Sequence, residues 1–134
     1  MKILAIDWGK KKIGLAIGDT TLKISAPFKN IPNNSDSLKK ISQIVKNHNI
    51  EKIVFGKPIF PISGKPNDLF YIIKKFSEKL RQHIKIELNK EIEIYFVEED
   101  YTSEVAKIKY GNSKNIDKYA ALIILEQFLN QEKL

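Results

Sequence analysis

The chain reads as an α/β protein: a mixed sheet, built from a three-strand meander plus strand–helix crossovers, covered by helices. Three observations predict this. Apolar runs at residues 2–8, 13–19 and 22–31 follow one another with only short joints at residues 9–12 and 20–21, as in a meander. Short apolar strands then alternate with segments of helical periodicity. No repeat, low-complexity tract or linker interrupts the 134 residues, so residues 1–134 read as a single domain.

The elements follow in order. Asn33-Asn34-Ser35-Asp36 is turn-like, and Ser35 or Asp36 is placed to cap a helix. In that helix Leu38, Ile41, Ile44 and Val45 recur at helical spacing, and it ends near Asn47-His48-Asn49. Residues 51–55 form a short apolar strand, stopped by Gly56-Lys57-Pro58. Residues 57–67 hold Pro58, Pro61, Gly64 and Pro66 and read as a loop. A long helix over residues 68–88 carries the stripe Leu69, Ile72, Ile73, Phe76, Leu80 and Ile84. Residues 92–97 are strand-like, and Thr102 or Ser103 can cap a short helix through residue 109. Gly111-Asn112-Ser113 breaks the chain. A final helix over residues 115–130 sets Ile116, Ala120, Ile123, Ile124, Gln127 and Phe128 on one side.

Composition narrows the function classes. There is no cysteine, which excludes disulfides and thiolate metal sites. No apolar run is long enough to span a bilayer, and the N-terminal one is too short for a signal peptide, so the expected location is cytoplasmic, away from any membrane. The net charge of +7 suits an anionic partner such as nucleic acid. Arg81 is the sole arginine, however, and a lysine surplus in an Ile- and Asn-rich chain also arises from a biased genome composition.

The most informative residue is Asp7. It closes the apolar run Ile3-Leu4-Ala5-Ile6, where an uncompensated carboxylate is strongly disfavoured. Gly9 permits a sharp reversal, and Lys10, Lys11 and Lys12 place positive charge at the tip of the hairpin. An acid at the mouth of a sheet below a basic loop suggests a metal site facing a polyanion. Sites in open α/β sheets gather beyond the carboxyl ends of parallel strands. Glu98 and Glu99 end the last strand, Gly56-Lys57-Pro58 forms another edge of the same opening, and Asp117 lies in the first turn of the final helix. Converging carboxylates repel one another, and a divalent cation removes that conflict. Two such ions bracketing a phosphodiester activate water and stabilise the leaving oxygen, which is nuclease chemistry.

Each residue also has a plainer reading. Asp7 can be a turn residue bonding to amides near Gly9, and Asp117 can simply favour its helix N-terminus. Glu98 and Glu99 alternate faces, so at most one serves a given site. Asp100 and Glu104 read as helix-start charges, His48 and His83 as surface residues, and Trp8 as core. No serine sits in a G-x-S-x-G turn, and residues 62–65 lack the spacing of a phosphate-binding P-loop.

Four ordered blocks resemble the YqgF/RuvX family of pre-16S rRNA nucleases and Holliday-junction resolvase-like proteins. Ile6-Asp7-Trp8-Gly9 through Ile13-Gly14-Leu15-Ala16 is similar to the family's D-x-G-x-x-x-I-G-x-A. Ile53-Val54-Phe55-Gly56-Lys57-Pro58, with Gly64 after it, is similar to I-V-G-L-P. Val97-Glu98-Glu99-Asp100-Tyr101-Thr102-Ser103 is similar to D-E-R-L-[ST]-T, and Ile116-Asp117 with Ala120-Ala121 and Ile123-Ile124-Leu125 to V-D-x-x-A-A-x-x-I-L. The resemblance implies an RNase H-like fold, phosphodiester cleavage with Mg²⁺ or Mn²⁺, and acidic ligands at Asp7, Glu99 and Asp117.

Lys10, Lys11, Lys12, Gly56, Lys57, Pro58, Lys65 and Thr102 are the expected substrate-binding residues. The chain departs from the pattern at Asp100, where the family has arginine, at Lys57, where it has leucine, and at Glu98, a mild change. The segment over residues 107–115 is short. The leading expectation is an endonuclease on structured RNA, by resemblance a ribosomal RNA precursor and its 5′ end. The alternatives are a resolvase acting on branched, four-way DNA, for which a homodimer rather than a monomer would be favoured, and a non-catalytic RNA-binding module.

Overall fold

The computed structural model describes residues 1–58, 68–99 and 119–132. Its strands are β1 (Lys2–Trp8), β2 (Lys12–Asp19), β3 (Ile24–Pro32), β4 (Ile50–Pro58) and β5 (Glu93–Glu99). Its helices are α1 (Ser37–His48), α2 (Asp68–Leu88) and α3 (Ala120–Glu132). The sheet order is β3-β2-β1-β4-β5. β1, β2 and β3 form the antiparallel meander, while β4 lies parallel to β1 and β5 parallel to β4. The expected mixed sheet covered by helices is therefore present.

β1 sits at the centre and is apolar on both faces, as a doubly covered strand must be. Its alternation divides the core in two. Leu4 and Ile6 join Ile13, Leu15, Ile53, Phe55, Leu80 and Ile84 under α1 and α2. Ile3 and Ala5 join Ala16, Val54, Val97, Ile124 and Leu125 against α3. Trp8 follows Leu4 and Ile6 onto the first face and packs beside Phe76, ring centroids 6.3 Å apart, in keeping with its expected core role.

Left-handed asparagines end α1 and α2. Asn49 (φ 54°) donates its backbone N–H to the Val45 carbonyl at the end of α1. Asn89 (φ 51°) donates to the Lys85 carbonyl, 2.9 Å, after α2. The side chain of Asp36 does not cap α1, contrary to expectation. Ser37 takes over the local bonding: its Oγ accepts from the Asn34 N–H at 2.9 Å and donates to the Pro32 carbonyl at 2.9 Å.

Four further expectations are corrected. β4 does not stop at Gly56; pairing with β5 carries it through Lys57 and Pro58, opposite Glu98 and Glu99. Ile72 leaves the buried stripe of α2 and is 46% exposed, while Ser77 is buried. His83 is half-buried, its Nδ1 2.8 Å from Ser42 Oγ on α1, and His48 lies edge-on to Phe28. α3 is apolar all round in its first turns, with Ala120, Ala121, Leu122, Ile123, Ile124 and Leu125 all buried rather than one side alone. The expected short helix over residues 102–109 and the start of the last helix before residue 119 lie outside the described residues.

Candidate active site

Asp7 occupies the penultimate position of β1, two residues beyond Ala5, and so projects from the α3 face of the sheet. Directly opposite it on β2 is Gly14, and opposite Gly14 on β3 is Asn30. On its other side Ile6 pairs with Phe55, so the next position along β4, beside Asp7, is Gly56. The acid is thus flanked in both neighbouring strands by residues without side chains. A Cβ placed on Gly14 would lie 3.1 Å from Asn30 Oδ1, 3.6 Å from Asp7 Cβ and 3.9 Å from Ala121 Cβ. One small trough is therefore bounded by the acid, an amide and the first turn of α3.

Above the trough, Asp7, Gly9, Lys10, Lys11, Lys12, Gly14 and Asn30 line an open cleft of about 420 Å³. The basic tip is held in place. Asn33 Nδ2 donates to the Gly9 carbonyl at 2.6 Å, and the Asn33 N–H donates to the Lys11 carbonyl at 3.0 Å. Gly9 has no room for a side chain, since a Cβ there would lie 2.6 Å from the Lys12 carbonyl oxygen. Lys10, Lys11 and Lys12 are exposed at the rim, where their charge reaches an incoming anion.

The other expected site residues divide. Glu99 closes β5 opposite Pro58, on the same alternation as Tyr95 and Val97, which pack on the α3 side. Its backbone position is two strands across from Asp7 and two residues further toward the carboxyl edge. Glu98 falls on the opposite alternation and is exposed. Lys57 alternates onto the α2 face, away from Asp7, and its Nζ sits 4.9 Å from the centroid of the Phe70 ring. Asp117, Lys65 and Thr102 lie outside the described residues, as does the side chain of Glu99. Among the described residues no three His, Asp or Glu side chains cluster closely enough to hold a metal ion. Also among the described residues, no helix is long and apolar enough to cross a membrane.

The residues present fit a hard divalent cation. The trough that a Gly14 Cβ would fill lies beside the Asp7 carboxylate, a hard oxygen donor of the kind that Mg²⁺ and Mn²⁺ select. Asn30 is the residue that sequence reasoning missed. An edge-strand asparagine carries no signal of its own, and the pairing that brings it opposite Gly14 is long-range.

Comparison with known proteins gives the context. A family model described as "RuvX: Holliday junction resolvase" matches residues 1–131. A Malacoplasma penetrans protein named "Putative pre-16S rRNA nuclease" is 39% identical, over 98% of this chain and 96% of its own. A protein of the same name from Sulfurihydrogenibium sp. is 33% identical, over 97% and 90%. Among solved structures, Thermus thermophilus RuvC in complex with a Holliday junction substrate superposes with a TM-score of 0.60 at 9% identity, covering 99% of this chain and 96% of that one. At that identity the likeness concerns the fold alone, and it is the RNase H-like α/β architecture.

Proposed function

We propose that this chain, which belongs to the RuvX family, is a metal-dependent endonuclease that hydrolyses phosphodiester bonds in structured RNA. Its substrate would be a precursor of 16S ribosomal RNA, as the names of its relatives suggest, and we place the cut toward the 5′ end. The observation that carries the reading is Asp7: a carboxylate flanked by Gly14 and the Gly56 position, under a rim of three lysines. Small flanking residues leave space beside the acid, and the lysines compensate the charge of a nucleic-acid backbone.

Asp7, Glu99 and Asp117 are proposed to be the residues that would hold the metal. When bound, Mg²⁺ or Mn²⁺ would polarise the phosphate and make an attacking water acidic. Asp7 supplies the negative charge that holds the cation at the mouth of the sheet. Lys10, Lys11 and Lys12 position the sugar–phosphate chain over it, reading charge rather than sequence. Gly56 keeps the floor open, while Lys57, Pro58, Lys65 and Thr102 belong to the proposed outer contacts.

Asp7→Asn tests the reading. Metal-assisted stabilisation is worth several kcal/mol, so cleavage of a structured RNA with Mg²⁺ or Mn²⁺ should fall by at least ~100-fold. Cleavage by Asp7→Asn at the wild-type rate would falsify the assignment. The family description favours one second reading, four-way DNA as the substrate. Assaying structured RNA beside a four-way DNA junction, with the oligomeric state measured by gel filtration, separates the two. Tight RNA binding with no Mn²⁺ uptake by calorimetry would instead favour a non-catalytic module.

A further inference from the structure

We infer that Asn30 is a positioning residue that holds a phosphate oxygen of the nucleic-acid backbone against the group bound at Asp7. The inference rests on the nuclease reading of the same cleft and adds a residue to it. Three observations support it. Asn30 pairs with Gly14, which pairs with Asp7, so acid and amide stand on one level of the sheet with no side chain between them. Its Oδ1 lies 3.1 Å from where a Gly14 Cβ would be, so the amide sits over the glycine that separates it from Asp7. Both line the cleft rimmed by Lys10, Lys11 and Lys12.

A bulge delivers the amide. Ser25 opposes Gly18 and Pro27 opposes Ala16, on the side where Ala16 and the Gly18 position meet α3. Regular alternation from those residues would carry Asn30 to the other face. The register shifts between Leu15 and Ala16, so Phe28 is the extra residue, and Asn30 lands opposite Gly14 on the Asp7 face. Bulges re-aim side chains in this way beside functional sites.

The chemistry suits the place. Lysines give long-range attraction without direction, whereas Asn30, its Oδ1 set against Gly14, offers the NH₂ of the same neutral amide as a directional donor that adds no charge beside the cation site. An aspartate at this position would add a second carboxylate across Gly14. It would favour cations and repel phosphates.

The test uses the full-length protein and measures binding apart from cleavage. Affinity for a structured RNA is read by fluorescence anisotropy in the Asp7→Asn background, where no turnover interferes, and Mn²⁺ affinity by calorimetry with Asp7 intact. Loss of one hydrogen bond predicts that Asn30→Ala weakens RNA binding about threefold to tenfold, with Mn²⁺ affinity within about twofold. Asn30→Asp should weaken RNA binding further while tightening Mn²⁺ uptake. Gly14→Ala, whose methyl would crowd the flexible amide, should copy Asn30→Ala on RNA. Unchanged RNA affinity in Asn30→Ala and Asn30→Asp overturns the inference even if Asp7→Asn has abolished cleavage. So does an absence of measurable RNA binding by the wild-type protein. Should Asp7→Asn still cleave at the wild-type rate, the nuclease reading falls, and the inference, which sets Asn30 against a group bound at Asp7, falls with it.

Discussion

The two faces of the sheet are built from different stock. Under α1 and α2 the filling is large: Phe55 stacks on Phe96 at 5.8 Å and meets Phe76 edge-on at 6.2 Å, with Leu80 and Ile84 fully buried beside them. Against α3 the strands offer Ala5, Ala16, Gly14 and Gly18, and the helix answers with Ala120 and Ala121. A Cβ on Gly18 would lie 2.9 Å from Leu125 Cδ2, a direct sign of how closely α3 approaches. The same strand supplies both faces, with Leu4, Ile6 and Trp8 on one and Ile3, Ala5 and Asp7 on the other. One face uses bulk throughout. The other mixes Ile3, Val54 and Val97 with small residues on β1 and β2, and so brings the first turn of α3 to the acid and leaves a trough beside it.

Substitutions on either face break or sharpen this contrast. Phe55→Ala removes the largest fully buried side chain and should cost about 3–5 kcal/mol by urea unfolding. The protein that remains folded should keep its cleavage rate, because Phe55 faces away from Asp7. A cost below about 1 kcal/mol would mean that the large-residue face does not carry the stability. Gly18→Ala should cost less, about 1–3 kcal/mol by overpacking against Leu125 and the Ile24 carbonyl, the latter 3.3 Å from the added Cβ. Here the folded protein should lose activity as α3 is pushed outward. Full activity per folded molecule would show that the close approach of α3 is unnecessary for function.

Much of this was legible in the sequence because it rests on local pattern. The strand–turn–strand unit around Gly9, the stripes of α1 and α2 and the alternation that turns Asp7 and Ala5 the same way are all periodicities. What escaped depended on pairing between distant segments. β4 runs on through Pro58 because β5 offers a partner there, overriding the stop signal of Gly56-Lys57-Pro58. Ile72 reads as core by spacing, but α2 is covered on one side only and turns it to solvent. The half-burial of His83 depends on Ser42 of another helix. The face of Asn30 depends on a bulge at Phe28, and a single extra residue reverses every assignment after it. Asp117, Lys65 and Thr102, expected from the sequence, fall outside the described residues, so the third carboxylate remains a proposal.

The most direct test is a crystal of the protein soaked in Mn²⁺ and measured at a wavelength where manganese scatters anomalously. The account predicts a peak at the carboxyl edge of β1, bonded to an oxygen of Asp7 and reached by Glu99 and Asp117. Well-occupied manganese bound elsewhere, with Asp117 far from coordination range of Asp7, would contradict it.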